Sequence, residues 1–168
     1  MAIDPLRYYP MGFSGTEEFS VLSHFIVYLY KFLHLFNPNI TIEYVDVVYP
    51  AITFAIALVF FFLLVRKLFN YRVALIASAF LAVIPAFLFR TMSGVSDKEA
   101  LGTLFMFMGM YFFVYAWKSE NLRKSLIVSL LSGISTALMG LVWGGVNFVF
   151  LIFGLFVLII LFMEKFDN

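Results

Sequence analysis

The chain has 168 residues, 64% of them hydrophobic and 12% charged, with a net charge of +1 and a mean hydropathy of +1.02. A soluble domain carries roughly 25% charged residues, and one this small has too little interior to hide such an apolar excess, so lipid is the expected solvent. The near-zero charge excludes an electrostatic case for nucleic acid as a partner, and the lack of cysteine excludes disulfides, thiolate metal sites and Cys nucleophiles.

Residues 1–10, Met1-Ala-Ile-Asp-Pro-Leu-Arg-Tyr-Tyr-Pro10, hold no basic stretch followed by an apolar run, so neither a signal peptide nor a signal anchor is expected there. Over residues 16–36, Phe19, Leu22, Phe25, Ile26, Leu29, Phe32, Leu33 and Phe36 recur at helical spacing, interrupted by Glu18, His24, Lys31 and His34. Thr16 followed by Glu17 and Glu18 supplies an N-cap and first-turn acids, and Pro38 stops the helix. The pattern predicts an amphipathic helix at the interface or against the bundle rather than a span. Residues 1–46 are read as the later part of an external loop. Within them, Asn39-Ile40-Thr41 is the one Asn-x-Ser/Thr triplet whose middle residue is not proline, so Asn39 is a candidate glycosylation acceptor.

A membrane-spanning helix needs about 20 predominantly apolar residues. Residues 47–65, 73–89 and 100–117 each qualify, and residues 126–163 are long enough for two spans. Trp143-Gly144-Gly145 divides the last stretch into 126–142 and 146–163, which predicts a tight helical hairpin. Ser129, Gly133 and Ala137, spaced by four, are expected to let the fourth span pack closely on a neighbour. Most of the 23 phenylalanines are expected to face lipid or fill the core. The fold class is therefore all-α integral membrane, with about five transmembrane helices and one external amphipathic helix.

Orientation follows from the bias of Lys and Arg toward the cytoplasmic side. With five spans, Arg66, Lys67 and Arg72, then Lys118, Arg123 and Lys124, and finally Lys165 all fall on one face, taken as cytoplasmic. Residues 1–46, residues 90–99 and the Trp143-Gly-Gly turn then lie outside. In a prokaryote this is a protein of the cell membrane with its acidic loop on the extracytoplasmic side.

One stretch concentrates polar groups beside the membrane: Arg90-Thr-Met-Ser-Gly-Val-Ser-Asp97-Lys-Glu99. Asp97 and Glu99 stand two apart before a helix start, where they can converge on one hard cation, and oxygen donors suit Mn²⁺ or Mg²⁺. Gly94 permits the tight turn such a loop needs. Arg90 can meet a phosphate or anchor the carboxylates. The same residues also fit a plainer reading, in which Ser96 or Asp97 caps the third span and Arg90 snorkels to the interface.

The ordered set resembles the N-terminal membrane half of the catalytic subunit of oligosaccharyltransferases, especially archaeal and bacterial single-subunit forms. Asp4-Pro-Leu-Arg-Tyr-Tyr-Pro10 looks like a segment of that family's long first external loop, and residues 20–36 are similar to its external amphipathic helix. Arg90-Thr-Met-Ser-Gly-Val-Ser-Asp97-Lys-Glu99-Ala resembles its second acidic motif, and Trp143-Gly-Gly a further signature at an outer turn. The resemblance implies transfer of a lipid-linked oligosaccharide to Asn of an Asn-x-Ser/Thr acceptor polypeptide, with a divalent metal that orients the acceptor and offsets charge on the pyrophosphate leaving group. Carried over by position, Asp97 matches the metal-binding aspartate, Glu99 stands where an Asp is common, and Arg90 matches a recurrent arginine. The family's first acidic motif, a later loop with a catalytic glutamate and a Trp-Trp-Asp-Tyr-Gly domain have no counterpart in this sequence. A truncated or split member is therefore expected, inactive alone, and a gene fragment and a split protein completed by a second polypeptide both stay open. The rival expectations are a non-catalytic membrane scaffold or partner subunit, and a transporter. A transporter is disfavoured because the span interiors hold no ionisable group.

Overall fold

The computed structural model describes residues 3–4, 10, 13–14 and 21–166. Near the N-terminus, β1 (Ile3–Asp4) pairs antiparallel with β2 (Phe13–Ser14), Ile3 facing Ser14 in register. The remaining elements are all helices, and the molecule is an all-α integral membrane protein. The predicted Thr16 cap, and the Asp-Pro segment apart from Asp4 and Pro10, lie outside the described residues.

The amphipathic helix is α1 (Val21–His34), with 14 residues, about 21 Å long at 1.5 Å per residue and too short to cross a bilayer. Its inner side, with Val21, Leu22 and Phe25, packs on the core, while Val27, Tyr28, Phe32 and Phe36 stay exposed. The chain then turns at Asn37–Asn39 and enters α2 (Ile42–Leu68). This helix starts five residues before the expected span at 47, because Thr41 caps it by accepting the Tyr44 N–H and Glu43 sits in its first turn. Val45, Tyr49, Thr53 and Ala57 repeat every four residues and form its buried face.

The second expected span, 73–89, is broken. It consists of α3 (Tyr71–Val83) and α4 (Pro85–Thr91), which meet at 65°. Pro85 has no N–H to give to the preceding turn and forces Ile84 into extended backbone, with φ −63° and ψ 120°. Pro85 therefore opens a new short helix instead of lying within the last turns of one span. Then follow α5 (Lys98–Trp117), α6 (Leu122–Val142) and α7 (Val146–Phe166). Four helices, α2, α5, α6 and α7, are long and apolar enough to cross a membrane, and the bent α3–α4 pair makes a fifth crossing if it passes as one broken span.

The core sits between α2, α5 and α6, around Ala57, Leu101, Leu104, Phe107 and Val142. The close packing of α6 does not use Ser129, Gly133 and Ala137, which are exposed. Ser132, Ser135, Thr136 and Met139 are buried instead. Ser132 Oγ donates to the Gly109 carbonyl of α5 at 2.8 Å, and a Cβ on Gly109 would meet Thr136 Oγ1 at 3.0 Å. The hydroxyls that let α5 and α6 approach lie on a neighbouring stripe of the helix, one that offers both small size and hydrogen bonds.

The expected hairpin is present. Its turn falls at Trp143-Gly-Gly, and α7 runs back beside α5 and α6 while staying almost wholly exposed. It touches α5 through rings: Phe113 stacks on Phe153 at 4.2 Å, and Trp117 meets Phe156 edge-on at 5.0 Å. The Trp143 ring is pressed over Gly102 and Gly145, where an added Cβ would come within 3.0 Å and 2.5 Å of it, so it fastens the turn to α5.

Candidate functional site

At one end of the bundle, α1, the first turns of α2, the end of α4, the loop 92–97, the start of α5 and the Trp143 turn come together. The loop is held on α2 by three bonds within a single helical turn. Gly94, in the left-handed region at φ +90°, gives its N–H to the Val47 carbonyl at 2.9 Å. Ser96 Oγ donates to Asp46 Oδ1 at 2.7 Å, and Tyr49 Oη donates to the Asp97 carbonyl at 2.7 Å. Tyr49 is fully buried, with Phe25 of α1 edge-on to its ring at 6.4 Å. The amphipathic helix therefore packs on the residue that holds the acidic loop.

Asp97 occupies the N-cap position of α5, but its side chain caps nothing. It faces Arg90 instead, with Nη1 to Oδ2 at 3.2 Å, while Arg90 Nε lies 3.4 Å from Glu99 Oε2. Arg90 reaches both carboxylates because it is carried near the end of α4, turned toward the loop by the break at Pro85. All three groups remain partly open to solvent, so the pairs contribute little stability and matter for placement.

The predicted residues Arg90, Asp97 and Glu99 are thus together. Asn39 is apart from them, exposed on the link between α1 and α2, its N–H donating to Asn37 Oδ1 at 3.1 Å. Sequence reasoning missed Asp46 and Tyr49. The available signal was an acid and a tyrosine three apart at the entrance of an apolar stretch, on the helical stripe continued by Thr53 and Ala57.

A divalent cation needs more oxygen donors than this loop offers. Among the described residues no three His, Asp or Glu side chains converge on a common point. Asp97 and Glu99 both face a guanidinium, and Asp46 is taken up by Ser96. The residues present do not by themselves make a Mn²⁺ or Mg²⁺ site.

Fold and site together define a polytopic helical membrane protein that holds an arginine-paired acidic loop at one membrane face. Residues 2–168 match the family described as oligosaccharyl transferase STT3, N-terminal, and the chain belongs to that family. It is 28% identical over 153 residues to dolichyl-phosphooligosaccharide-protein glycotransferase 3 of Archaeoglobus fulgidus, covering 84% of this chain and 17% of that protein. It is likewise 28% identical over 143 residues to dolichyl-phosphooligosaccharide-protein glycotransferase of Methanococcus voltae, covering 83% of this chain and 15% of the relative. The chain therefore spans less than a fifth of the length of these relatives.

Proposed function

We propose that this chain is the N-terminal membrane part of a glycosyltransferase that moves a lipid-linked oligosaccharide onto Asn of Asn-x-Ser/Thr acceptors, and that residues 1–168 alone are inactive. The observation that carries the reading is the family match over residues 2–168, with Arg90, Asp97 and Glu99 assembled at one end of the bundle. Their arrangement suits a polar, anionic group arriving at the membrane face: a guanidinium to attract phosphate, and carboxylates to act once further donors are supplied. In this reading Asp97 and Glu99 contribute to a Mn²⁺ or Mg²⁺ site with further donors from beyond residues 1–168.

The acidic loop is proposed to face away from the cytoplasm, because Arg66, Lys67, Lys118 and Lys124 gather at the opposite end. Single cysteines at Ser93 or Ser119 test this with an impermeant thiol reagent on intact cells. Labelling at Ser119 with none at Ser93 reverses the assignment. Asn39, on the same end as the loop, is then also on the acceptor side. An intact-mass increment in glycosylation-competent cells, absent in Asn39→Gln, is the expected sign of its use. No increment removes Asn39 as an acceptor.

The activity is tested by exchanging the corresponding segment of the Archaeoglobus relative for this chain. The chimera should glycosylate a sequon peptide, and Asp97→Ala should abolish transfer. The isolated chain, given lipid-linked oligosaccharide, Mn²⁺ and peptide, should give no product above a blank. Turnover by the isolated chain ends the claim that it needs completion, and a folded but inactive chimera ends the catalytic reading. One observation favours a second reading, a non-catalytic partner subunit: Arg90 already faces both loop carboxylates. In that case the chimera folds and transfers nothing.

A further inference from the structure

The opposite end of the molecule carries a different concentration of charge. Arg66 and Lys67 close α2, Arg72 opens α3, Lys118 caps α5, and Arg123 and Lys124 open α6, with Glu120 the acid among them. No carboxylate lies within ion-pair distance of any of these cations among the described residues, whereas Arg90 at the acidic end has two. The chain could have spread these charges, yet it gathers them. Lys67 Nζ sits 4.5 Å from the centroid of the Tyr115 ring, and Lys124 Nζ sits 5.0 Å from the same centroid. Lys118 Nζ donates to the Lys67 carbonyl at 2.8 Å, tying the end of α5 to the end of α2. Ser125 Oγ donates to the Ala116 carbonyl at 2.9 Å, tying the start of α6 to α5. Three helices thus bring both lysines to the one ring.

Two like charges held over one ring repel each other, and attraction to the ring offsets only part of that. An anion bound beside the ring offsets the charge of both. Beneath Tyr115 the seam of α2 and α5 continues as a ladder of rings, with Tyr111 at 5.9 Å from Tyr115 and Phe60 at 6.0 Å from Tyr111. A charged head above an apolar ladder is the profile of a membrane lipid.

We propose that Lys67, Lys124 and the Tyr115 ring form a binding site for the phosphate of an anionic phospholipid, whose acyl chains run along the Tyr111–Phe60 seam. The site lies at the far end of the bundle from Arg90, Asp97 and Glu99 and does not depend on the proposed transfer reaction. A positively charged membrane end attracts anionic lipid diffusely, at about fivefold per basic residue near the surface. A built site differs in depending on two particular lysines.

The test is native mass spectrometry of the full chain in detergent, titrated with phosphatidylglycerol or phosphatidylcholine. The first phosphatidylglycerol should bind at least about fivefold more tightly than the first phosphatidylcholine. K67Q/K124Q should lose that preference, and R72Q/R123Q, which removes two charges from the same end away from the ring, should keep it. Lys124 is exposed, so K124Q alone serves if the double variant does not fold, and it should lower the preference at least twofold. Equal affinity for the two lipids overturns the proposal. So does equal loss in the two double variants, which leaves diffuse charge only. Displacement of phosphatidylglycerol by equimolar inorganic phosphate overturns the lipid assignment in favour of a soluble anion.

Discussion

Tyr49 joins two properties that usually conflict in lipid: full burial and a polar end. Its hydroxyl is satisfied by the Asp97 carbonyl, so the ring can fill the junction of α1 and α2 while its tip holds the loop. Tyr49→Phe should keep the packing and lose about 1 kcal/mol, whereas Tyr49→Ala should lose about 3–5 kcal/mol through the cavity it leaves. Reversible unfolding in mixed micelles measures both. Hydrogen exchange of the Gly94 and Asp97 amides should quicken in the Phe variant, and unchanged exchange would mean that the hydroxyl does not hold the loop. Asp97 itself is read most directly with Mn²⁺. Two donors leave most of a coordination sphere to water, so binding by the chain alone should be weak. Paramagnetic broadening should nevertheless concentrate at residues 90–99 and fall in Asp97→Asn. Equal broadening at Asp46 would reduce it to general carboxylate attraction.

Among the elements, the break between α3 and α4 has the largest effect on the site. It turns a short helix back toward the loop and carries Arg90 with it. Pro85→Ala should let the helix run on. Spin labels at positions 71 and 89 should then move apart by about 3 Å, from the geometry of a 65° bend at 1.5 Å per residue. Distances unchanged from the parent would show that packing, not proline, sets the bend. The sequence made the existence of the helices legible, because length and hydropathy depend on composition alone. It located Arg90, Asp97 and Glu99 because they are close in the chain. It did not disclose the bend, although Pro85 was visible, because a proline near a span's end can also be accommodated without one. It also pointed to Ser129, Gly133 and Ala137 as the packing stripe, where Ser132, Ser135 and Thr136 are the residues buried. Both sets are small, and only the position of Gly109 on α5 decides which approaches. Tyr49 stayed hidden for a related reason: its partner is 48 residues away.

At the scale of the whole molecule, the two ends have opposite designs. The acidic end is pinned by hydrogen bonds within and across elements, and Arg90 is matched by two carboxylates. The basic end is fastened by Lys118 and Ser125 but leaves its remaining charge for something outside the chain. Between them α7 meets α5 through rings and stays largely exposed, so the stability of the bundle resides in α2, α5 and α6. The two tryptophans happen to be divided between these ends: Trp143 lies over Gly102 and Gly145, and Trp117, 55% exposed, stands beside Phe156. The chain therefore carries its own pair of optical reporters. Trp117→Phe should leave an emission that follows the acidic end alone, and the difference from the parent spectrum should follow the basic one. Iodide, drawn to the uncompensated lysines, should quench that difference more strongly than neutral acrylamide of equal concentration would in a lysine-free surround, so K67Q/K124Q should lower the iodide effect while leaving the acrylamide effect unchanged. A dye-free titration could then watch each membrane face of the protein separately.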